Sequence, residues 1–70
     1  MQINAIETAT NGNLTIKLFE RVWYGTHKRY FIKFYRNGEE TYEPYEYSDM
    51  QEAFYHFVQL CDENNIPVKF

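Results

Sequence analysis

Cysteine is almost missing from this chain. Cys61 stands alone among 70 residues, so no internal disulfide framework holds the fold and no thiolate cluster completes a zinc site. Glycine and proline number only three and two. The glycines are isolated, which excludes a glycine-rich phosphate loop, and there is no repeat, low-complexity tract or linker. Ser48 is the only serine, and it sits where a helix cap is wanted, which leaves little for nucleophilic catalysis. No apolar run approaches the roughly 20 residues of a membrane span. Met1-Gln2-Ile3-Asn4 lacks the basic and apolar regions of a signal peptide. The expectation is a cytoplasmic, non-membrane chain without catalysis or cofactor.

What the chain does have is large apolar side chains. Aromatic residues make up 20% and hydrophobic residues 44%, which excludes intrinsic disorder. At this length a single α+β domain over 1–70 is expected, burying only about 60% of its unfolded surface.

The net charge of −3 conceals a segregation. Leu14 to Arg36 carries Lys17, Arg21, Lys28, Arg29, Lys33 and Arg36 against one acid, Glu20. Asn37 to Val68 carries Glu39, Glu40, Glu43, Glu46, Asp49, Glu52, Asp62 and Glu63 and no base. A basic half is followed by an acidic half.

Two Asn-Gly pairs, Asn11-Gly12 and Asn37-Gly38, punctuate extended runs and signal hairpins. With the break at 24–27 they predict an antiparallel meander of strands at about 2–10, 13–23, 29–36 and 40–46. In strand two Leu14, Ile16, Leu18 and Val22 alternate with Thr15, Lys17, Phe19, Arg21 and Trp23. In strand three Tyr30, Ile32 and Phe34 alternate with Phe31, Lys33 and Tyr35. Strand four has two registers. A two-residue turn sets Glu43 opposite Ile32, on the core face. A three-residue loop of Arg36, Asn37 and Gly38 sets Tyr42 there instead, with Lys33 across from Thr41 and diagonal to Glu43. The second separates apolar from charged side chains and is the expected one. Pro44 makes strand four an edge or bulged strand.

A helix is predicted over about 49–63. Ser48 and Gln51 have capping-box spacing, and Asp49 and Glu52 suit the first turn. Met50, Ala53, Phe54, Phe57, Val58 and Cys61 form one apolar stripe. Tyr55 and His56 fall on the wet face, and Asn64-Asn65 stops the helix. Ile66, Val68 and Phe70 share one side of an extended tail, with room for a short final strand. The expected fold is thus α+β: a four-stranded antiparallel meander with one C-terminal amphipathic helix packed on one face.

The candidate site is the other face of the sheet. Alternation places Phe19, Trp23, Phe31 and Tyr35 there, with Tyr45 joining them if strand four keeps step, among Lys17, Arg21 and Lys33. A face that met only water would be mainly polar. Trp, Tyr and Arg are enriched at protein–protein hot spots, so a protein partner or a homodimer is the first expectation. Aromatics beside cations also suit single-stranded nucleic acid, although the net acidity opposes it. A third reading makes the acid-and-tyrosine run 39–49 a mimic of nucleic acid that inhibits a nucleic-acid-binding protein. Opposite all three stands plain cross-strand packing of rings under Lys and Arg stems.

Metal and acid–base chemistry find little support. His56 and Glu52 share a helix face, but with His27, Cys61 and Glu63 they read as solvated residues and a buried thiol, so no metal is expected. His27 lies beside Lys28 and Arg29 without a second acid–base partner.

Overall fold

A computed structural model describes all residues except Thr26, Lys69 and Phe70, and describes 42–45 by their backbone alone. The strands are β1 (Gln2–Asn11), β2 (Leu14–Val22), β3 (Lys28–Arg36) and β4 (Glu39–Tyr47), followed by the helix α1 (Met50–Glu63). They pair in the order β1-β2-β3-β4, each antiparallel to the next. The α+β meander with one helix on one face is therefore the observed architecture. Ile66–Val68 pairs with no strand. The rest of the tail, where a final strand would continue, lies outside the described residues.

The alternation in β2 and β3 determines what the helix covers. Leu14, Ile16, Leu18, Tyr30 and Ile32 are buried, and they cluster with Ala53, Phe57 and Cys61 of α1. Each such side chain taken from water stabilises the fold by about 1.5–3 kcal/mol. The helix packs on β2, β3 and β4, while the tail reaches the core side of β1. There Ile66 is buried and Asn11 Nδ2 donates to the Asn65 carbonyl at 3.2 Å. Of the apolar stripe, Ala53, Phe57 and Cys61 are buried and Phe54 and Val58 half-buried. Met50, at the first turn, remains 45% exposed. At the far end of the core face Val22 and Glu20 are half-buried. Glu20 accepts from Asn4 Nδ2 at 3.5 Å and pairs with Lys28 at 3.7 Å.

Three expectations are corrected. The first turn occupies Gly12-Asn13, since Asn11 pairs with Leu14. Gly12 has φ +60, so the positive φ falls on the first central residue, the signature of a Gly-led hairpin turn.

The second correction is the register of β4. Arg36 pairs with Glu39 and Lys33 with Tyr42, which is the two-residue turn and not the three-residue loop. Asn37 and Gly38 both have positive φ, 52° and 84°, as a type I′ turn requires, and its twist suits the flanking strands. The conflict at Ile32 is resolved by interrupting the ladder. Lys33 pairs with Tyr42 but Phe31 pairs with Glu46, so β4 carries two more residues than β3 across this step. Pro44 lies in that interruption, on an outer strand.

The third correction is the helix cap. Asp49 is the N-cap, and its carboxylate accepts from the Glu52 N–H at 3.1 Å. Ser48 sits one residue too early because β4 runs on to Tyr47, which pairs with Tyr30. At the other end Asn64 closes the helix, and Asn65 takes the left-handed conformation, φ 58.

Candidate interaction face

On the sheet face away from α1, Phe19 is paired with Phe31, Lys17 with Lys33, Thr15 with Tyr35 and Arg21 with Arg29. The rings of Phe19 and Phe31 stack, centroids 5.2 Å apart and planes 13° apart. Above them lie the cations. The Arg21 guanidinium is 4.7 Å from the Phe31 centroid and 5.3 Å from that of Trp23. Lys33 Nζ is 5.3 Å from Phe19 and 5.8 Å from Phe31. Lys17 Nζ is 5.2 Å from Tyr35.

This layer has an electrostatic cause. Two directly opposed like-charge pairs, Lys17/Lys33 and Arg21/Arg29, are unfavourable on their own. Neighbouring β4 supplies the counter-charge. Lys33 pairs with Glu40, and Arg21 reaches across β3 to Glu46 at 2.9 Å. Glu46 and Glu40 of β4 thus lie beside cations of β2 and β3, as the charge pattern suggests. Among the described residues Lys33 pairs with Glu40; the side chain of Glu43, which the three-residue loop would set diagonal to it, lies outside them. Among the described residues Lys17 and Arg29 have no carboxylate partner.

Of the residues read from the sequence as the open face, Lys17, Phe19, Arg21, Lys33 and Tyr35 come together there, all half-buried. Phe31 lies on the same face, as alternation places it, but is only 3% exposed, and among the described residues Phe19, Arg21 and Lys33 lie over its ring. Trp23 follows the end of β2 and is half-buried, its backbone N–H donating to the His27 carbonyl at 2.9 Å across the loop. The side chain of Tyr45 lies outside the described residues. Accessible apolar surface collects at this end of the sheet instead. Ile3 pairs with Arg21 and is 50% exposed, Met1 is exposed, and Tyr24 is 97% exposed beside Trp23. Alternation in β1 gives no sign of Ile3, because strand one has too few large residues to show a period. Tyr24 was legible only as a loop residue.

The remaining chemistry is sparse. Among the described residues no three His, Cys, Asp or Glu side chains are grouped to hold a metal ion. Cys61 is fully buried, and desolvation raises its thiol pKa above the ordinary value. His56, read as a wet-face residue, stacks on Tyr47 at 4.9 Å. Two shallow depressions flank Pro67 on the helix side, one reaching Val58 and Asp62, the other Thr8 and Phe57. Neither touches the open face. Among the described residues no helix is long and apolar enough to cross a membrane. The chain matches no protein-family model, no curated protein and no solved structure.

Proposed function

We propose that this chain is a small, cytoplasmic, non-catalytic module that binds a protein partner through the open face of its sheet. The reading rests above all on the pairing of Arg21 with Glu46 and Lys33 with Glu40. These carboxylates cancel much of the positive potential that a phosphate backbone needs. What remains is half-buried Phe19, Trp23 and Tyr35 beside exposed Ile3 and Tyr24. Rigid aromatic area with an arginine at its centre is the make-up of a protein hot spot. The same ion pairs count against an acidic nucleic-acid mimic, since Glu40 and Glu46 are engaged within the chain.

Single-stranded nucleic acid is the second reading, favoured by the unpaired Lys17 and Arg29. Two measurements separate the readings. A photo-crosslinker at Tyr24 is expected to trap a protein that the same group at Tyr55, on the helix, does not, and Trp23→Ala is expected to weaken that capture with little salt dependence. Oligonucleotide titration, followed by Trp23 fluorescence, is expected to show no binding. Tight oligonucleotide binding whose salt slope falls by about one unit in Lys17→Ala would overturn the protein-partner reading.

A further inference from the structure

Asn-Gly occurs twice in the chain, at Asn11-Gly12 and Asn37-Gly38, and the fold holds the two unequally. An asparagine before a glycine can close on itself, because glycine has no Cβ to keep its backbone nitrogen from the side-chain carbonyl. Closure needs a carboxamide free to swing and a backbone free to turn.

At Asn11 both are held. The residue is inside the β1–β2 ladder as the partner of Leu14, and its Nδ2 donates to the Asn65 carbonyl at 3.2 Å. At Asn37 the carboxamide is exposed and makes no hydrogen bond. Asn37 and Gly38 stand outside the ladder, between the closing pair of Arg36 and Glu39. The Asn37 backbone N–H donates to the Asn13 carbonyl at 3.1 Å, a bond that does not engage the Gly38 nitrogen. Nothing lies within 4 Å of where a Cβ on Gly38 would stand, so the approach is open.

We propose that Asn37 is a site of spontaneous deamidation, selected over Asn11 by the fold, and that its conversion loosens the β3–β4 hairpin. The Gly38 nitrogen attacks the Asn37 side-chain carbonyl carbon. An N–Cγ bond forms, the Cγ–Nδ2 bond breaks, the glycine nitrogen gives up its proton, and ammonia leaves. Water then opens the cyclic imide at one of its two carbonyls, giving aspartate or isoaspartate. The sum is one water consumed and one ammonia released, with no oxidant or reductant. Isoaspartate routes the main chain through its side-chain carbons and adds a methylene between Arg36 and Glu39. A type I′ turn is built from two residues of ordinary backbone length, both with positive φ, as Asn37 and Gly38 have here, so the lengthened turn no longer fits. Either product also adds a carboxylate close in sequence to Glu39 and Glu40, where like charges repel. The inference does not depend on the partner proposed above.

The test is ageing of the full chain at mildly alkaline pH, followed by peptide mapping with mass spectrometry. Trypsin cuts after Lys17 and Arg36, which puts the two sites in different peptides. Asn37 is expected to convert about three- to tenfold faster than Asn11, the factor that one net hydrogen bond corresponds to. In concentrated urea both sites lose the fold, and their rates should draw together. Native amide exchange of the aged chain should speed up at Thr41, which pairs with Phe34, and stay unchanged in β2. Asn37→Gly keeps a residue suited to positive φ and removes the carboxamide, so that variant aged in parallel should keep Thr41 protected. An Asn37 that stays intact, an Asn11 that converts as fast in the folded chain, or a bias undiminished in urea overturns the proposal. So does exchange at Thr41 that is the same before and after conversion.

Discussion

Phe31 is the sharpest test of how the open face is built. Its ring is as hidden as a core residue, yet among the described residues its cover on that face is Phe19, the Arg21 guanidinium and the Lys33 ammonium. Replacing it by alanine removes a buried ring, a change that costs about 3–5 kcal/mol in well-packed cores. The stacked pair with Phe19 adds about 0.5–1.5 kcal/mol to what is lost. Against this, the covering arms are flexible and partly solvated, so they can settle into the vacated space, and collapse of the site lowers the cost. The balance places Phe31→Ala at about 2–3 kcal/mol. For a chain of this length total stability is on the order of 4–10 kcal/mol, so the loss is large but leaves a measurable folded state.

Urea unfolding followed by circular dichroism measures it as a fall in midpoint at unchanged slope. Tyr24→Ala is the control, because an exposed ring with no packing changes stability by about 0.5 kcal/mol or less. Phe31→Leu should recover most of the loss by refilling the volume. If Phe31→Ala and Tyr24→Ala fall within about 0.5 kcal/mol of each other, the cation-and-ring layer contributes nothing and the argument for a packed face fails.

The remaining tests probe the other half of the fold and the charges. Phe57→Ala should cost about 3–5 kcal/mol by thermal or urea unfolding, since its ring is fully enclosed between helix and sheet. Asp49→Ala should cost about 1 kcal/mol and Ser48→Ala little, which a side-by-side melt of the two variants checks. A double-mutant cycle on Lys33 and Glu40 should give a coupling of about 0–1 kcal/mol that shrinks in high salt. Because burial raises the Cys61 pKa, the folded state holds its proton where the unfolded chain releases it. Stability from this group is therefore present below the ordinary thiol pKa and falls as pH rises from there through the raised folded value. Cys61→Ala should flatten the alkaline part of the stability–pH curve, and an unchanged curve would refute the assignment.

Much of this fold was legible because two periods are unambiguous in the chain. Leu14, Ile16 and Leu18 can face one way only in a strand, and Ala53, Phe57 and Cys61 line up only on a helix. The errors lie where a local preference competed with the global pattern. Separating apolar from charged residues in strand four favoured the longer loop, but Asn37-Gly38 closes the turn by itself, and the sheet absorbs the mismatch at Pro44. Ser48 had a cap's chemistry in a position that the end of β4 had already taken. Placement on the open face followed from alternation, but burial did not. Alternation says which way Phe31 points and nothing about Arg21 bridging over it to a strand two places away.

That bridge also carries the electrostatics of the whole molecule. A chain with its bases in one half and its acids in the other could fold into two poles and attract either sign of partner. The meander prevents this by laying the first acidic strand directly beside the last basic one, so Glu40 and Glu46 meet Lys33 and Arg21. Each contact is weak, but together they set where charge is left over among the described residues: Lys17, Arg29 and Arg36 on β2 and β3, and the acids of α1 on the far side. The β1 edge, carrying Glu7 alone, stays nearly neutral. One ordering of four strands therefore sets acids of the second half against bases of the first and lowers the positive charge of the open face.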